Sequence, residues 1–202
     1  MLIKINPENP QKRLLRNAID VLSAGGLIAY PTDTAYGIGC DLFNKKAIER
    51  IYRIKQQPKN KPFSFICSDL KDISTFAQVS NYAYKTMKRL LPGPYTFILQ
   101  ASSEVPRIML TKRKTVGIRI PDNKIALTLV RMFGHPIIST TANLPGSQAF
   151  SDPMDIEERL GHALDLVVDG GAKLPEPSSV VNMVEDIPIV LRAGKGDVSI
   201  FE

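Results

Sequence analysis

Residues 27–41 read LIAYPTDTAYGIGCD, an apolar run that stops at a proline and continues into a polar, glycine-containing segment. The run Leu27–Tyr30 is typical of a short buried strand, and the remainder, residues 31–41, is typical of a turn-rich loop. The pair Gly25-Gly26 ends the helical pattern that precedes this strand. We therefore predict a helix, a buried strand and a polar loop in succession, which is an arrangement found in α/β proteins.

The alternation of helical and extended patterns continues to the C-terminus. Helical spacing predicts one helix from the Asn9-Pro10 pair to Gly25 and others at residues 45–56, 69–76, 81–91, 124–133 and 153–161. Apolar runs predict strands at residues 27–30, 63–67, 95–101, 115–120, 137–140, 166–168, 179–184 and 189–192. Several of these strands are joined by loops too short for a crossover, so the sheet must be mixed. We expect an α/β fold in a single domain over residues 1–202.

The composition excludes several classes of protein. With 44% hydrophobic and 23% charged residues in 202, the chain is a globular protein rather than a disordered or coiled-coil one. No stretch approaches the ~18 consecutive apolar residues of a membrane span, so we expect a soluble, cytoplasmic protein without membrane contact. Cys40 and Cys67, with His135 and His162, lack the spacing of a zinc site, and we predict no protein-held metal.

The net charge of +6 is unevenly distributed along the chain. Residues 1–150 hold 22 lysines and arginines against 9 acids, whereas residues 151–202 hold 4 against 11. The basic excess is densest between residues 44 and 62, where one acid, Glu49, faces seven cations: Lys45, Lys46, Arg50, Arg53, Lys55, Lys59 and Lys61. The pattern indicates a polyanionic partner such as RNA, contacted by Lys45, Lys46, Arg50 and Arg53. The alternative is a solvated helix face.

Polar and cationic residues gather just after the predicted strands. Thr32 and Thr34 follow the first strand, Arg119 and Arg192 lie at the ends of two others, and residues 139–143 end a third. Ligands of open α/β sheets bind beyond the carboxyl ends of strands, so these residues are candidates for a binding site. An arginine that ends an apolar strand suits a carboxylate or phosphate, the alternative being a salt bridge to an acid of the chain.

Four segments resemble the successive signatures of YrdC-type threonylcarbamoyl-AMP synthases: YPTDTAYGIGCD at 30–41, PGPYT at 92–96, TVGIRIP at 115–121 and STTANLPG at 139–146. The resemblance implies a twisted, mostly open mixed sheet with flanking helices and a cationic cavity. It also implies an enzyme, a nucleotidyltransferase that condenses L-threonine, bicarbonate and ATP to threonylcarbamoyl-AMP and pyrophosphate. That product supplies the carbamoyl group of tRNA threonylcarbamoyladenosine.

The resemblance also assigns residues. It implies that Thr32, Arg119, Ser139 and Ser178 bind threonine, with Arg119 on its carboxylate. It implies that the nucleotide and its phosphates are bound by Lys55, Thr115, Thr141, Asn143 and Arg192, of which Lys55, Thr141 and Asn143 are also the candidate catalytic residues. Mg²⁺ would be held mainly by the phosphates and water.

The sequence departs from the synthase pattern at three points. Where the synthases have Lys-x-Arg, this chain has Lys55-Gln56-Gln57, a neutral amide in place of a cation, although Lys59 or Lys61 could compensate. Thr141-Ala142-Asn143 replaces Ser-x-Asn, and Asn182 stands where an acid is common. These features indicate the YciO-like branch. Two alternatives therefore remain: a relative that acts on threonylcarbamoylated tRNA, for example by removing the modification, and a non-catalytic module that binds tRNA or double-stranded RNA.

Overall fold

A computed structural model describes residues 1–58, 63–110 and 114–201, and their strands form one sheet. In chain order these strands are β1 (Leu2–Lys4), β2 (Ile28–Tyr30), β3 (Gly37–Asp41), β4 (Ser64–Ile66), β5 (Ala77–Gln78), β6 (Tyr95–Ala101), β7 (Thr115–Arg119), β8 (Ile137–Thr141), β9 (Leu166–Asp169), β10 (Ser179–Asn182) and β11 (Ile189–Arg192). Their spatial order is β1-β9-β2-β3-β8-β4-β7-β6-β10-β11, with β5 paired to β6.

The sheet contains both parallel and antiparallel strand pairs. The β1–β9, β2–β9, β4–β7 and β6–β10 pairs are parallel, whereas β2–β3, β3–β8, β4–β8, β6–β7 and β10–β11 are antiparallel. The predicted α/β class with a twisted, open mixed sheet and flanking helices is confirmed. A single domain over residues 1–202 stays a prediction.

Six α-helices of the described residues flank the sheet: α1 (Lys12–Ser23), α2 (Lys45–Lys55), α3 (Leu70–Phe76), α4 (Asn81–Leu90), α5 (Lys124–Phe133) and α6 (Pro153–Leu160). Most begin at a side chain that accepts a backbone N–H, as Asn44 does from Ala47 and Asn123 from Ala126. The start predicted for α1 at Asn9-Pro10 is wrong. There the Asn6 carboxamide accepts the amide N–H of Asn9 in a turn, and the helix begins at Lys12.

The strand β3 lies where the sequence predicts a loop. Gly37 and Gly39 weaken its extended pattern, yet they are required because the Tyr30 ring crosses this strand. A Cβ atom on Gly39 would lie 2.9 Å from Tyr30 Cε1, and one on Gly37 would lie 2.8 Å from Ser139 Oγ. The short strands β1 and β5 also escaped prediction. The glycines therefore mark close packing within the sheet rather than a turn.

The two faces of the sheet are covered to different extents. On one face, Phe65, Phe97, Ile118 and Ile138 pack in the larger hydrophobic cluster, which also contains buried residues of α2, α3 and α4. On the other face, α1 and α5 pack with residues of β2, β8 and β9 in a smaller cluster. Beyond these two helices the second face is left open over β4, β7, β6 and β10, and this opening contains the cavity described below.

The structure also bears on the excluded classes. None of the described helices is long and apolar enough to cross a membrane. Cys40 and Cys67 are free and buried, and burial raises the pKa of both thiols. A cytoplasmic location stays a prediction.

Candidate functional site

A cavity of about 450 Å³ lies on the open part of the second sheet face. Its walls come from alternate residues of several strands, because side chains of a strand alternate between faces. Ser64 and Ile66 of β4, Thr96 and Ile98 of β6, and Ser139 and Thr141 of β8 show this pattern. The site was expected beyond the strand ends, and that expectation is wrong in part. The loop after β2 and both arginines do lie at strand ends, but the floor is the sheet surface.

All but one of the predicted ligand-binding residues line this cavity: Thr32, Lys55, Arg119, Ser139, Thr141, Asn143, Ser178 and Arg192. The exception is Thr115, at the opposite end of β7 from Arg119 and paired there with Gln100. It shares the cavity face of β7 but is not part of the wall, so its role in nucleotide binding stays a prediction from the resemblance alone. Gln57 does line the cavity.

The cavity has two sides that differ in chemistry. We call the residues Thr96, Arg119, Ser178 and Arg192 the arginine side, since they come from β7, β6, β11 and the segment before β10. We call the residues Lys55, Gln57, Thr141 and Asn143 the lysine side, since they come from the end of α2, the end of β8 and the loops that follow.

Residues of the loop after β2 bind the guanidinium group of Arg119. Its Nη2 donates to the Asp33 carboxylate in a short ion pair, to Thr34 Oγ1 at 2.6 Å and to Thr32 Oγ1 at 3.3 Å. Both side chains are nearly buried, at 11% exposure for Arg119 and 8% for Asp33. The salt-bridge alternative therefore describes part of what Arg119 does, and its contact with a substrate carboxylate stays a prediction.

The Asp33–Arg119 pair leaves buried polar atoms without partners. Among the described residues, Asp33 Oδ2 and Arg119 Nε are buried and make no hydrogen bond. The backbone carbonyl of Asp33 accepts from Lys195 Nζ at 2.6 Å, which ties the C-terminal segment to the loop after β2. Buried donors and acceptors are usually paired, so the two orphaned atoms mark this pair as part of a polar site rather than a packing feature.

Arg192 has a different environment. Its Nε donates to the Ser178 carbonyl at 2.9 Å and its Nη2 to Ser178 Oγ at 3.2 Å, and no carboxylate of the described residues pairs with it. Partial burial, together with the charge of Arg119, lowers the pKa of Arg192. Both arginines line the cavity, and an anion between them would offset the repulsion of their like charges.

The hydroxyl groups of the cavity are oriented by neighbouring polar groups. Tyr30 is fully buried and its hydroxyl donates to Ser139 Oγ at 2.6 Å. Burial raises the pKa of Tyr30, so it stays a neutral donor. Thr32 donates to the Ala35 carbonyl at 2.6 Å, which fixes the loop that carries Thr34. These contacts hold Thr32 and Ser139 in defined positions on the cavity wall.

On the lysine side the ammonium group of Lys55 is already bound by protein oxygens. Its Nζ donates to the Thr141 carbonyl at 2.9 Å, to the Asn143 carbonyl at 3.2 Å and to Asn143 Oδ1 at shorter range. Asn143 Nδ2 in turn donates to the Ser147 carbonyl at 2.9 Å. Lys55 thus fixes the turn after β8. That the cavity as a whole is cationic stays a prediction, because Asp33 offsets Arg119 and oxygens of the protein surround Lys55.

Three residues of this site escaped assignment from the sequence: Asp33, Tyr30 and Thr96. Asp33 lies in the same segment as Thr32, yet nothing in the sequence indicates its pairing with Arg119, 86 residues away. Thr96 ends the PGPYT segment, which the resemblance singled out without giving it a role. That segment was the available signal.

The basic face of α2 is only partly free. Arg50 Nη1 lies 2.9 Å from Asp165 Oδ2, and Arg50 Nη2 donates to the Ala163 carbonyl at 3.1 Å. Its charge is paired and its side chain points to the α6–β9 connection, and Arg50 as an RNA contact stays a prediction. Lys45, Lys46 and Arg53 are exposed. Lys59 and Lys61, the possible substitutes for the missing cation, lie outside the described residues.

The side chains that could bind a metal ion are spread apart in the described residues. Within residues 1–58, 63–110 and 114–201 there is no group of three or more His, Cys, Asp or Glu side chains that could hold an ion. The cavity wall supplies hydroxyl, amide and cationic groups instead. Such groups suit a magnesium ion that arrives with nucleotide phosphates better than a protein-held one, and Mg²⁺ binding stays a prediction.

The chain is thus an α/β protein whose open mixed sheet has arginines and hydroxyls around a cavity on one face. The family model of Sua5, YciO and YrdC proteins, described as telomere recombination, matches residues 20–194, and the chain belongs to this family. YciO of Escherichia coli is 45% identical over 199 residues, covering 98% of this chain and 97% of YciO. Its crystal structure has a TM-score of 0.96 at 44% identity and covers 100% of this chain and 99% of that one.

Threonylcarbamoyl-AMP synthases are more distant relatives. The synthase of Pyrococcus abyssi is 30% identical over 197 residues, which is 96% of this chain and 58% of that protein. The crystal structure of Pyrococcus abyssi Sua5 complexed with L-threonine has a TM-score of 0.90 at 28% identity, covering 96% of this chain and 57% of that one. The resemblance to this family and to its YciO-like branch is therefore confirmed.

Proposed function

We propose that this protein condenses L-threonine, bicarbonate and ATP to threonylcarbamoyl-AMP and pyrophosphate in the cavity on the sheet face. The observation that carries the proposal is that residues from six separate segments, between Thr32 and Arg192, surround one cavity. The resemblance to the synthases assigns each of them to threonine or to the nucleotide. The structural similarity to a threonine-bound Sua5 supports the same reading.

The chemistry explains why these residue types are needed. The amine of threonine and bicarbonate form a carbamate with loss of water. A carbamate oxygen then attacks the α-phosphorus of ATP, the bond from that phosphorus to the β-phosphate oxygen breaks, and pyrophosphate leaves. Both reactants are anions, so the protein must bring them together and neutralise their charge. Cations and hydroxyl donors are the groups that phosphoryl-type transfer requires.

The cavity wall offers groups for both substrates. On the arginine side Arg119 binds the threonine carboxylate, while Thr32, Ser139 and Ser178 surround the amino acid. The nucleotide spans Lys55, Thr141 and Asn143 on one side and Arg192 on the other. Mg²⁺ would neutralise the phosphates of ATP, and the product would pass to the enzymes that modify tRNA.

The experiment that tests this proposal is direct synthesis. Purified protein is incubated with ATP, Mg²⁺, bicarbonate and radiolabelled L-threonine, and the products are separated by chromatography. We expect threonylcarbamoyl-AMP that depends on bicarbonate and on the protein. An Arg119→Lys variant, which keeps the charge but changes the guanidinium geometry, serves as the matched control and should form less. Product no greater than in a protein-free blank would overturn the proposal.

A second function is favoured by one observation, the position of Gln57. This neutral amide lines the cavity where the synthases have an arginine, and the chain is more similar to YciO than to the synthases. A weaker cationic site suits water-driven removal of the threonylcarbamoyl group from tRNA adenosine better than synthesis. Incubation with threonylcarbamoylated tRNA, followed by nucleoside chromatography, distinguishes the two. If neither reaction occurs and tRNA still binds, a non-catalytic RNA-binding module remains.

A further inference from the structure

Thr96 is a buried residue of the arginine side to which the proposed reaction assigns no role. It is 5% exposed, lies on β6 and lines the cavity. It ends the PGPYT segment, the one synthase-like signature that supplied no site residue. The question is therefore what its hydroxyl group does.

The register of the sheet puts Thr96 between the two arginines. Phe97 of β6 pairs with Ile118 of β7, so the neighbouring residues Thr96 and Arg119 lie side by side. On its other side Thr96 pairs with Val180 of β10, and Val180 pairs with Arg192 of β11. Neighbouring strands are about 4.8 Å apart. A group held between the two guanidiniums would therefore lie over Thr96 and Val180, and of these two side chains Thr96 is the one with a hydrogen-bonding group.

The hydrogen bonds of Thr96 leave one donor available. Thr96 Oγ1 and Ser178 Oγ are 2.9 Å apart, and Arg192 Nη2 donates to Ser178 Oγ. The pair has two hydroxyl hydrogens, and only one can be used between the two oxygens. Within the part of the chain that the structure describes, neither hydroxyl has a second acceptor. Whichever hydroxyl donates within the pair, one hydrogen remains for a ligand.

Three features now coincide at one place: a hydroxyl hydrogen without an acceptor, Arg119 with a buried Nε that makes no hydrogen bond, and Arg192 without a carboxylate among the described residues. Partial burial and, second to it, the charge of Arg119 lower the pKa of Arg192. All three call for the same group, an anionic oxygen that accepts hydrogen bonds.

We propose that the Thr96–Ser178 hydroxyl pair, through Thr96, completes a carboxylate site between Arg119 and Arg192, so that Thr96 determines the preference of the protein for amino acids with a free carboxylate. The inference rests on the proposed binding of threonine and adds a residue to it. A phosphate oxygen of the nucleotide has the same hydrogen-bonding chemistry, so the experiment must separate the two sources.

Isothermal titration calorimetry separates them with three ligands: L-threonine, L-threoninamide, in which the carboxylate is replaced by a neutral amide, and ATP with Mg²⁺. The variant is Thr96→Val, which keeps the shape and removes the hydroxyl, and Thr96→Ser restores it. Thr86→Val is the matched control, because Thr86 is also buried but lies on α4. Thr96→Ala replaces Thr96→Val if the latter does not fold by circular dichroism.

A hydrogen bond to a charged group predicts that Thr96→Val weakens L-threonine binding at least about 10-fold. The preference for L-threonine over L-threoninamide should fall by the same factor. ATP affinity should change by less than about 2-fold, and Thr96→Ser should recover most of the loss. Thr86→Val should bind all three ligands as the wild type does.

Each other outcome has a defined meaning. Unchanged threonine affinity in Thr96→Val overturns the inference and leaves the proposed function standing. A loss of ATP affinity instead assigns the site to phosphate and also overturns it, as does an equal loss in Thr86→Val. Wild-type protein that binds no threonine overturns both proposals. Threonine binding that depends on Thr96, without synthesis of threonylcarbamoyl-AMP, overturns the proposed function alone.

Discussion

The arginine side of the cavity has two basic residues and the lysine side has one, and the two sides also differ in how many of these charges already have partners within the protein. On the lysine side the Lys55 ammonium is bound by Thr141 and Asn143 oxygens, and Gln57 adds no charge. On the arginine side Asp33 pairs with Arg119, but Arg192 contacts only Ser178 oxygens in the described structure. A count of cations therefore overstates the positive charge available to a ligand, because the charge of a cation that is already paired within the protein is partly neutralised.

The largest effect is expected from a variant that removes the carboxylate partner of Arg119. Asp33→Ala leaves the nearly buried Arg119 guanidinium without its carboxylate, so the free energy of unfolding should fall by about 3–5 kcal/mol. Urea denaturation followed by circular dichroism measures this change. Asp186→Ala, which removes an exposed carboxylate, should change it by less than about 0.5 kcal/mol. A loss as small as that of the control would contradict the structural role of the pair.

The same pairing changes how Arg119 should be tested. Arg119→Ala leaves the Asp33 carboxylate, at 8% exposure, without its partner, so a loss of threonine binding in that variant mixes folding with recognition. Arg119→Lys keeps the charge and is the cleaner variant. It should lose threonine affinity by about 10-fold while unfolding at nearly the same urea concentration, because a lysine cannot make the forked contact with a carboxylate.

A second effect is expected when a variant adds positive charge to the lysine side. Gln57→Arg restores the cation of the synthase pattern next to the cavity. Single donors in sites of this kind contribute about 10²-fold in rate, so pyrophosphate release should rise by up to that factor. A coupled colorimetric assay follows it, with Gln57→Lys as a second cationic variant and Gln56→Arg, one residue away and exposed, as the control. A rate equal to the wild type would mean that the lysine side needs no further cation.

A smaller effect is expected when charge is removed from the arginine side. Arg192→Met should weaken ATP binding and L-threonine binding about 10-fold each, since it removes one charge-assisted contact with a phosphate and one with the threonine carboxylate. The free energy of unfolding should change by less than about 1 kcal/mol, because Arg192 is only partly buried and has no carboxylate partner among the described residues. Calorimetry measures the change in binding affinity, and urea denaturation measures the change in the free energy of unfolding. Severe destabilisation would show that Arg192, like Lys55, is used by the protein itself.

The smallest effect concerns the surface outside the cavity. If RNA binds the exposed cations of α2, Lys46→Glu with Arg53→Glu should lower tRNA affinity several-fold at low salt and leave ATP affinity unchanged. Filter binding at two salt concentrations measures the first and calorimetry the second. Arg50→Gln is the control for a cation already paired with Asp165. Binding of tRNA that does not respond to salt would contradict a phosphate-backbone contact.

Much of the fold could be predicted from the sequence because its signals are local. The strands at Tyr95–Ala101 and Ile189–Arg192 and the helix Lys124–Phe133 have the predicted bounds, since apolar runs and an asparagine cap define them. The strand Gly37–Asp41 was missed because its glycines leave space for the Tyr30 ring, and this contact forms only in the folded sheet.

The site divides in the same way. Motif residues such as Thr32 and Ser139 could be assigned from their segments and do line the cavity. The pairing of Asp33 with Arg119 and of Arg50 with Asp165 joins residues 86 and 115 positions apart in the chain, and only the sheet topology brings them together. The availability of each charge, which decides its function, therefore could not be predicted from the sequence.

The proposed reaction requires that one cavity binds L-threonine and the nucleotide at the same time. Calorimetric titration of L-threonine, first without and then with a saturating non-hydrolysable ATP analogue and Mg²⁺, tests it most directly. We expect one threonine site per chain in both titrations, with an affinity that the analogue leaves equal or improves. Threonine binding abolished by the analogue would show that the ligands compete for one position, which would rule out the proposed reaction in this cavity.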